Sequence, residues 1–342
     1  MTEPLLTPPQ ILQATATFFG QPVQKLTAPG GRSRSTLRAY LPDRTVIVSQ
    51  RRNEARAKLE LMVLQQLMNA TEHAPQVLGT SGTLVFQTDA GPNRLNWAVN
   101  AMPADQRMAL AASAVEALFD IQRAGRRVGL HHCVPTGPIE RHTDDDLLPM
   151  VTEFSKQLHL PVTFDSNSLS QLFRAAPDRF VKWDCRSGNA ALGTDGRIRW
   201  FDFEDARLAH GPEDFAWLIA DEVWPIEAAS MLTLIRDRLT AEDTTDPKGY
   251  MVYLQEFATL QAIRRIRLIF RQAKSNGWLD RTRILKLDMV GANPHMGERL
   301  ALRGADIARL SDSTTPLLPL FHAAVSLFRR VREPIDAVKK TE

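Results

Sequence analysis

The sequence predicts an α+β fold of two lobes: a five-stranded antiparallel sheet with one helix, followed by a mostly helical lobe that carries a hairpin. Short extended runs, separated by turns rich in Pro and Gly, fill the first 90 residues. Long runs with an apolar residue at every third or fourth position fill much of the rest. A chain of 342 residues is long enough for two hydrophobic cores. We therefore predict one lobe over residues 1–90 and a second over residues 91–342.

The first lobe is predicted to begin with a helix and to continue as strands. Pro8 and Pro9 suit a first helical turn, and Gly20 suits a helix end. The predicted helices of this lobe occupy residues 8–19 and 53–70. The predicted strands occupy residues 23–27, 35–41, 45–50, 76–78 and 83–87. The second helix has an apolar face formed by Leu59, Met62, Val63 and Leu67.

The second lobe is predicted to be mostly helical. The sequence Asp-Ala-Gly-Pro at residues 89–92 interrupts helices and strands alike, so we place the connection between the lobes there. The predicted helices occupy residues 104–124, 147–158, 227–239, 248–277 and 316–331. The longest of them carries an apolar stripe that we assign to the core: Phe257, Leu260, Ile263, Ile266 and Phe270.

Composition excludes several classes of function. Apolar content of 44% and charged content of 24% are ordinary for a soluble globular protein. The formal charge of +3 is spread along the chain, so we expect no nucleic-acid partner. We expect no membrane partner either, because no apolar run approaches the length of a membrane span. The two cysteines fit a reducing compartment, and the first ten residues lack a secretion signal. We therefore predict a cytoplasmic protein; the sequence does not indicate its oligomeric state.

The most informative stretch, residues 180–218, places four polar side chains around a predicted hairpin. Asp184 follows a short extended run, and Asn189 comes five residues later. The Asp-Gly pair in residues 194–197 predicts a tight turn between two strands, and Asp202 follows the second strand. The hairpin brings Asn189 beside Asp202, with Asp184 on the adjoining loop. Such oxygen ligands suit Mg²⁺, and phosphoryl transfer needs that ion together with a carboxylate that orients the attacking hydroxyl.

The pattern D-x4-N, a hairpin, D-F-E-D-A and then G-P-E-D-F-A resembles the aminoglycoside phosphotransferase and choline kinase superfamily, the small-molecule relatives of protein kinases. The resemblance implies a protein-kinase-like fold that uses ATP and Mg²⁺ to phosphorylate a small-molecule hydroxyl acceptor. It implies that Asp184 is the catalytic base, that Asn189 and Asp202 bind magnesium, and that Asp214 anchors the catalytic loop. The cell-wall amino-sugar kinases are the branch that we place nearest.

The first predicted turn of the sheet could cover the nucleotide phosphates. Gly30 and Gly31 permit a close approach of the backbone, and Ser33 and Ser35 add hydroxyl donors. A simple turn and a phosphate-binding loop are equally compatible with these residues.

Three more residues are assigned to nucleotide binding. Glu60 lies in the predicted helix of the first lobe and matches the helix glutamate of the family. The backbone from Gln87 to Asp89 lies at the predicted connection, where it would contact the base and decide between ATP and GTP.

The sequence departs from the family at two places. Kinases carry a lysine on the third strand that pairs with the helix glutamate, whereas this strand reads Thr-Val-Ile-Val-Ser-Gln. Arg38, Arg51 or Arg52 could substitute for that lysine. The usual His-Gly before the catalytic aspartate is replaced by Lys182-Trp183. The alternative to an enzyme is therefore a catalytically silent, kinase-like protein that binds nucleotide or serves as a scaffold.

The acceptor is indicated only in broad terms. The longest predicted helix carries Arg264, Arg265, Arg267 and Arg271, although a solvated face is the commoner role for such residues. Aminoglycosides are polycations that need acidic pockets, so these arginines favour a neutral or anionic hydroxyl compound, such as an amino sugar or a sugar acid.

Overall fold

The computed structural model describes residues 6–29, 36–50, 53–139, 146–171 and 176–339. The α-helices in this part of the chain are α1 (Pro8–Phe19), α2 (Glu54–Leu67), α3 (Leu95–Ala101), α4 (Ala104–Arg127), α5 (Leu147–Gln157), α6 (Ser166–Gln171), α7 (Pro212–Ile219), α8 (Ala228–Arg236), α9 (Pro247–Asn276), α10 (Arg281–Leu287), α11 (Pro294–Ala308) and α12 (Leu318–Lys339). The strands are β1 (Lys25–Thr27), β2 (Thr36–Tyr40), β3 (Thr45–Gln50), β4 (Val77–Ser81), β5 (Leu84–Thr88), β6 (Asn93–Arg94), β7 (Arg179–Val181), β8 (Ala190–Leu192), β9 (Ile198–Trp200) and β10 (Arg207–Ala209).

The first five strands form one antiparallel sheet in the order β1–β2–β3–β5–β4, which confirms the predicted sheet. Side chains alternate across a strand, so Val46 and Val48 of β3 point to one face and Ile47 to the other. The two valines belong to a small hydrophobic cluster that includes Ile11 of α1. Phe18 of α1 stacks on the sheet residue Phe86 with 4.3 Å between ring centroids. Helix α1 therefore covers one face of the sheet and leaves the other face to the site.

Helix α2, between β3 and β4, is the predicted helix of the first lobe, but its apolar face packs on the second lobe. Leu59, Val63, Leu64 and Leu67 are buried in the same cluster as residues of α4, and not in the cluster beneath the sheet. Asn53 caps the helix by accepting a hydrogen bond from the backbone N–H of Arg56 at 3.1 Å. Helix α2 is thus tied to the helical lobe.

The helical lobe is built around α9, which packs against α5, α7 and α11. Asp246 caps its first turn and Gly277 follows its last residue, so the predicted helix over residues 248–277 is confirmed. The predicted stripe from Phe257 to Phe270 is mostly buried, as expected for a core helix. Within the described residues, no helix combines the length and apolarity that crossing a bilayer requires.

The predicted hairpin is present and carries the site. Strands β8 and β9 pair in antiparallel register, with Ala190 opposite Trp200, and β6 extends the sheet beside β8. A separate antiparallel pair joins β7 to β10 and brackets the hairpin. Gly196 has a φ of +79° in the turn, the left-handed conformation that the Asp-Gly sequence favours.

Four of the described helices were not predicted from the sequence: α3, α6, α10 and α11. Helices α3 and α10 have seven residues each and α6 has six, too few to show a clear helical period. Helix α11 has the signal that was missed, an Asn293 N-cap followed by Pro294. The division into lobes at residues 90 and 91 stays a prediction.

Candidate active site

A cavity of about 1020 Å³ lies between the sheet and the helical lobe. Its walls come from the open face of the sheet, α2, the segment after β5, the β8–β9 hairpin and α10. It is lined by five of the residues predicted for nucleotide or metal binding: Glu60, Gln87, Asp89, Asn189 and Asp202. The structure therefore brings these side chains to one cleft.

A second cavity of about 420 Å³ lies on the other side of the catalytic loop. Asp184 lines this cavity, whereas Asn189 and Asp202 line the larger one. Arg56 and Asp288 line both cavities, so the two spaces share a wall. The predicted base therefore lines a different cavity from the predicted metal ligands, although the side-chain nitrogen of Asn189 lies only 2.8 Å from Oδ2 of Asp184.

The hairpin places Asn189 next to Asp202. The backbone N–H of Phe201 donates to the carbonyl oxygen of Asn189 at 2.9 Å, which continues the β8–β9 ladder by one step. The side-chain nitrogen of Asn189 donates to the carbonyl oxygen of Asp184 at 2.9 Å and to its Oδ2 at 2.8 Å. Asp184, Asn189 and the residue before Asp202 are therefore linked by hydrogen bonds.

Asp214 anchors the loop that carries Asp184. Its carboxylate accepts hydrogen bonds from the backbone N–H groups of Lys182 at 3.0 Å and Trp183 at 2.7 Å, and from the side chain of Gln122 at 2.9 Å. The side chain is fully buried, and this burial raises the pKa of Asp214. The geometry is the one implied for this residue by the sequence resemblance.

Lys182 occupies the position where the family has histidine, and it ties the loop to the hairpin. It is fully buried, and its Nζ donates to the carbonyl oxygens of Trp183 at 3.3 Å and Asp202 at 3.1 Å. The ammonium also lies 5.3 Å from the ring centroid of Phe203. A lysine here therefore connects the loop that carries Asp184 to the end of the hairpin.

The backbone of the site is held in an uncommon conformation. Trp183, Asp184, Asp202 and Asp288 all have positive φ, between +42° and +69°. Among the described residues, His159 is the one other non-glycine residue with positive φ. Left-handed backbone costs free energy in residues other than glycine and clusters at functional sites. The clustering of left-handed residues around Asp184 and Asp202 supports the assignment of a functional site there.

Asp184 is paired with a cation that the sequence reading did not single out. Arg186 donates from Nε to Oδ1 of Asp184 at 2.9 Å and from Nη2 to Oδ2 at 3.3 Å. Burial opposes ionisation of Asp184, but the charge and hydrogen bonds of Arg186 outweigh it and hold the pKa of Asp184 below its ordinary value. The carboxylate is therefore ionised near neutral pH.

The missing lysine of the third strand is not replaced by Arg38. That arginine pairs with Asp89 at 2.8 Å and donates to the carbonyl oxygen of Gly91 at 2.8 Å, at the far end of the cleft. Arg56 of α2, one turn before Glu60, instead reaches the end of the hairpin. It contacts Glu204 at 3.2 Å and Asp205 at 3.3 Å. Sequence reasoning missed Arg56 because its partners are far away in the chain.

Of the other residues predicted to contact the nucleotide or to replace the lysine, some line the larger cavity and the rest lie outside the described residues. Gln87 is buried on β5, and its side-chain nitrogen has no hydrogen-bond partner within the described residues. A buried amide at the wall of a cavity is suited to a ligand that supplies the acceptor. Glu60 is also buried at the cavity wall. Those outside the described residues are Gly30, Gly31, Ser33, Ser35, Arg51 and Arg52.

Asp288 is a site residue that the sequence did not reveal. It follows α10 in a left-handed conformation and contacts Arg94 at 3.2 Å and Arg186 at 3.7 Å. It packs against Gly188 so closely that a side chain at Gly188 would collide with its carboxylate. The helix before it, α10, has an Asp280 N-cap but only seven residues, too few to show a helical period.

Comparisons with known proteins concern the fold. No protein-family model matches the chain, and no curated protein matches it. Among solved structures, wild-type aminoglycoside 2'-phosphotransferase-IIIa in its GDP complex is 14% identical, with a TM-score of 0.51, over 86% of this chain and 97% of that one. The streptomycin–ATP complex of APH(2")-IIa is also 14% identical, with a TM-score of 0.51, over 86% of this chain and 99% of that one. An aminoglycoside phosphotransferase from Alicyclobacillus acidocaldarius is 12% identical, with a TM-score of 0.50, over 90% and 97%.

The chain has the aminoglycoside phosphotransferase fold. The predicted resemblance is therefore confirmed at the level of the fold, including the sheet of the first lobe and the helical second lobe. Within this fold, the larger cavity lies between the sheet and the helical lobe, whereas the lining of the smaller cavity contains no residue of the sheet. At a sequence identity of 14%, these similarities establish the fold alone.

Proposed function

We propose that this protein is an ATP- and Mg²⁺-dependent phosphotransferase that moves the γ-phosphate to a hydroxyl of a small molecule, in the class of sugars and amino sugars. The observation that carries the proposal is the convergence of Asp184, Asn189 and Asp202 where two cavities meet, on a loop anchored by Asp214. A cytoplasmic location is part of the same proposal.

The magnesium ion would be held by Asn189 and Asp202. The Asn189 side chain donates its two hydrogen bonds to Asp184 from the amide nitrogen, so the amide oxygen is the end suited to a hard cation. The described residues contain no group of three or more His, Cys, Asp or Glu that could hold a metal by themselves. This fits Mg²⁺, which completes its coordination with water and phosphate oxygens and would neutralise charge on the transferred phosphate.

The nucleotide would bind in the larger cavity. Gln87 and Asp89 would lie beside the base, and Glu60 would lie towards the phosphates. The predicted turn with Gly30, Gly31, Ser33 and Ser35 would cover the phosphates from above. The two solved structures with TM-scores of 0.51 were determined with GDP and with ATP and streptomycin, which supports a nucleotide and a small acceptor.

Asp184 would orient the acceptor hydroxyl and accept its proton as the oxygen attacks the phosphorus. Arg186 would keep the carboxylate ionised, and Asn189 would fix its direction through the hydrogen bond to Oδ2. Positioning and charge neutralisation supply most of the rate enhancement in such reactions, so the rigid loop matters more than the basicity of Asp184.

The alternative is a catalytically silent protein that binds nucleotide or serves as a scaffold. Ile47 and Ser49 are the β3 residues that line the cleft, so β3 offers no lysine to Glu60. A magnesium-dependent thermal shift with ATP identifies a nucleotide binder. Turnover with a panel of sugars, amino sugars, amino alcohols and aminoglycosides then separates an enzyme from a scaffold.

Two substitutions test the assigned roles. We expect Asp184→Ala to abolish turnover and to leave the affinity for Mg-ATP within about twofold of wild type, because Asp184 lines the other cavity. We expect Asp202→Ala to weaken Mg-ATP binding by about tenfold or more, since a charged contact contributes roughly 1.5–3 kcal/mol. Calorimetric titration and an ADP-release assay measure both quantities.

The matched control is Asp306→Ala, which removes an exposed carboxylate outside both cavities. It should leave turnover and affinity unchanged. Full turnover in the Asp184 variant would exclude its role as the base, and unchanged Mg-ATP affinity in the Asp202 variant would exclude its role as a metal ligand.

A further inference from the structure

The positively charged side chains of the larger cavity differ in what holds them. Within the described residues, its lining contains the cations Arg38, Arg56, Arg94 and Lys286. The three arginines each form an ion pair of 2.8–3.2 Å with a carboxylate of the same lining, in turn Asp89, Glu204 and Asp288. Their charges are therefore matched by carboxylates that already belong to the cavity wall.

Lys286 of α10 differs from the three arginines. Its side chain is exposed where it lines the cavity, and it forms no ion pair and no side-chain hydrogen bond with another described residue. A lysine ammonium is a compact charge with three donors on a flexible stem, which suits phosphate oxygens. Lys286 thus brings to this cavity a positive charge that no carboxylate of the described chain matches.

The backbone beside Lys286 is fixed by α3. The carbonyl oxygen of Leu285, the preceding residue, accepts a hydrogen bond from the buried side chain of Asn96 at 3.1 Å. Asn96 lies on α3, which packs against the turn Ser187–Asn189. This contact therefore holds the middle of α10 close to the turn that carries the predicted magnesium ligand.

The end of α10 is attached to the same turn. Asp288, two residues after Lys286, packs directly against Gly188, the residue before Asn189. Arg94 strengthens this contact, because it pairs with Asp288 at 3.2 Å and donates to the carbonyl oxygen of Gly188, also at 3.2 Å. Lys286 therefore lies between two points of α10 that are both tied to the neighbourhood of Asn189.

The neighbourhood of Asn189 is the phosphate end of the cavity under the proposed function, on which the present inference rests. Asn189 and Asp202 would hold the magnesium ion that bridges the phosphates, and Gln87 would lie beside the base. The attachment of α10 places Lys286 at the phosphate end. It approaches from the helical lobe, whereas the lysine missing from β3 would have come from the sheet.

We propose that Lys286 binds the phosphate oxygens of the nucleotide and supplies the positive charge that β3 lacks. Bound Mg²⁺ neutralises only part of the charge of a triphosphate, so a further cation is needed at the phosphates. The arginines of the lining are ion-paired with its carboxylates, whereas Lys286 is available for the phosphates. The helical lobe then carries the magnesium ligands and the phosphate-binding lysine together.

The test compares ligands that share adenine and ribose and differ in the number of phosphates: adenosine, AMP, Mg-ADP and the Mg²⁺ complex of a non-hydrolysable ATP analogue. Calorimetric titration measures the affinity of each. We expect Lys286→Gln to weaken binding of the ADP and ATP-analogue complexes by about fivefold or more and to leave adenosine within about twofold. Lys286→Arg should retain most of the affinity, because it keeps the charge.

Arg283→Gln is the matched control. It removes a positive charge from the same helix at an exposed position outside both cavities, so it should leave every affinity unchanged. A second readout separates a charge contact from a change in packing: the loss caused by Lys286→Gln should shrink as the ionic strength rises, because salt screens an exposed charge. Thermal unfolding of each variant shows that the fold is retained.

Equal affinities of wild type and Lys286→Gln for the ADP and ATP-analogue complexes would overturn the inference and leave the proposed function standing. A loss that is as large for adenosine, or as large in Arg283→Gln, would overturn it as well. Failure of the proposed function is a different result: wild type then binds neither Mg²⁺-nucleotide complex, and both proposals are rejected together.

Discussion

At the scale of single residues, the buried lysine of the catalytic loop shows how the chain accommodates a departure from the family pattern. A buried ammonium is costly unless it is hydrogen-bonded, and Lys182 donates to two backbone carbonyls, one in the loop that carries Asp184 and one at the end of the hairpin. Its function is positional: it joins the backbone of the residue before Asp184 to the backbone of Asp202. In this chain the residue at the histidine position therefore connects the loop to the hairpin.

Substitution of Lys182 tests this interpretation. Lys182→Ala leaves both carbonyl oxygens buried without their donor, so we expect the free energy of unfolding to fall by about 2–4 kcal/mol. Lys182→His should recover part of the stability and more of the turnover, because imidazole can donate to one of the carbonyls. Urea unfolding and the ADP-release assay measure the two effects.

Lys248→Ala serves as the control, since this lysine lies at the exposed start of α9. A Lys182→Ala protein as stable as the control would show that the two hydrogen bonds contribute nothing. A histidine variant no more active than the alanine variant would show that the connection has no positional role.

At the scale of secondary-structure elements, one ion pair joins α4 to the loop that precedes α9. Asp243 accepts hydrogen bonds from Arg123 at 2.7 and 2.9 Å and from the backbone and hydroxyl of Thr240, both at 2.8 Å. Burial opposes its ionisation, but the bonds from Arg123 and Thr240 outweigh it and lower the pKa of Asp243. This ion pair attaches the loop before α9 to helix α4.

The lowered pKa gives the pair a defined pH dependence. A carboxyl group whose folded-state pKa lies below its unfolded value, about 3.9 for aspartate, stabilises the protein above that value. The stabilisation is lost as the pH falls towards the folded-state pKa. We expect Asp243→Asn to lower the free energy of unfolding by roughly 1.5–3 kcal/mol at neutral pH and by progressively less below about pH 4.

Chemical unfolding of wild type and variant over a series of acidic buffers measures this difference. Asp237→Asn is the control, because Asp237 and Arg236 form an exposed pair of the kind that contributes little. A loss in Asp243→Asn that stays constant or grows with acidity would contradict the assignment.

The elements also show what could be predicted from the sequence. The hairpin and the loop anchored by Asp214 were predictable because their signals are local: an Asp-Gly turn, two short apolar strands and a helix start within 40 residues. Helix α10 and Asp288 were not, since a seven-residue helix has no measurable period. Arg56 was missed for another reason: its partners lie about 148 residues away, and no local pattern encodes such a contact.

At the scale of the whole molecule, the described residues form three hydrophobic clusters, and the boundary between the two that contain residues of the first lobe does not follow the division into lobes. The sheet and α1 share the small cluster, whereas α2 belongs to the large one with α4. Local opening of one cluster should therefore leave the other protected. We therefore expect α2 to open together with the helical lobe, although the strands before and after it in the chain, β3 and β4, belong to the sheet.

Hydrogen–deuterium exchange can measure this division. Val48→Ala removes a buried side chain from the small cluster, so we expect faster amide exchange in β2, β3, β5 and α1. Exchange in α2 should change little. The reciprocal variant, Leu64→Ala, should accelerate exchange in α2 and in the adjoining part of α4.

Exchange in α2 that rises together with exchange in the sheet after Val48→Ala would show that the first lobe opens as one unit. Protection of α2 under the same conditions would show that the sheet opens independently of α2.

Arg56 and Asp288, each lining both cavities, also limit how this protein can diversify. Under the proposed function, alteration of either residue changes the surroundings of nucleotide and acceptor together, so a new acceptor preference acquired there would come with a changed response to the nucleotide. Trp183, Arg207, Trp217 and Arg264 line the smaller cavity and are absent from the lining of the larger one. On the same proposal, substitutions at these four positions would exchange one acceptor for another with the least effect on the nucleotide.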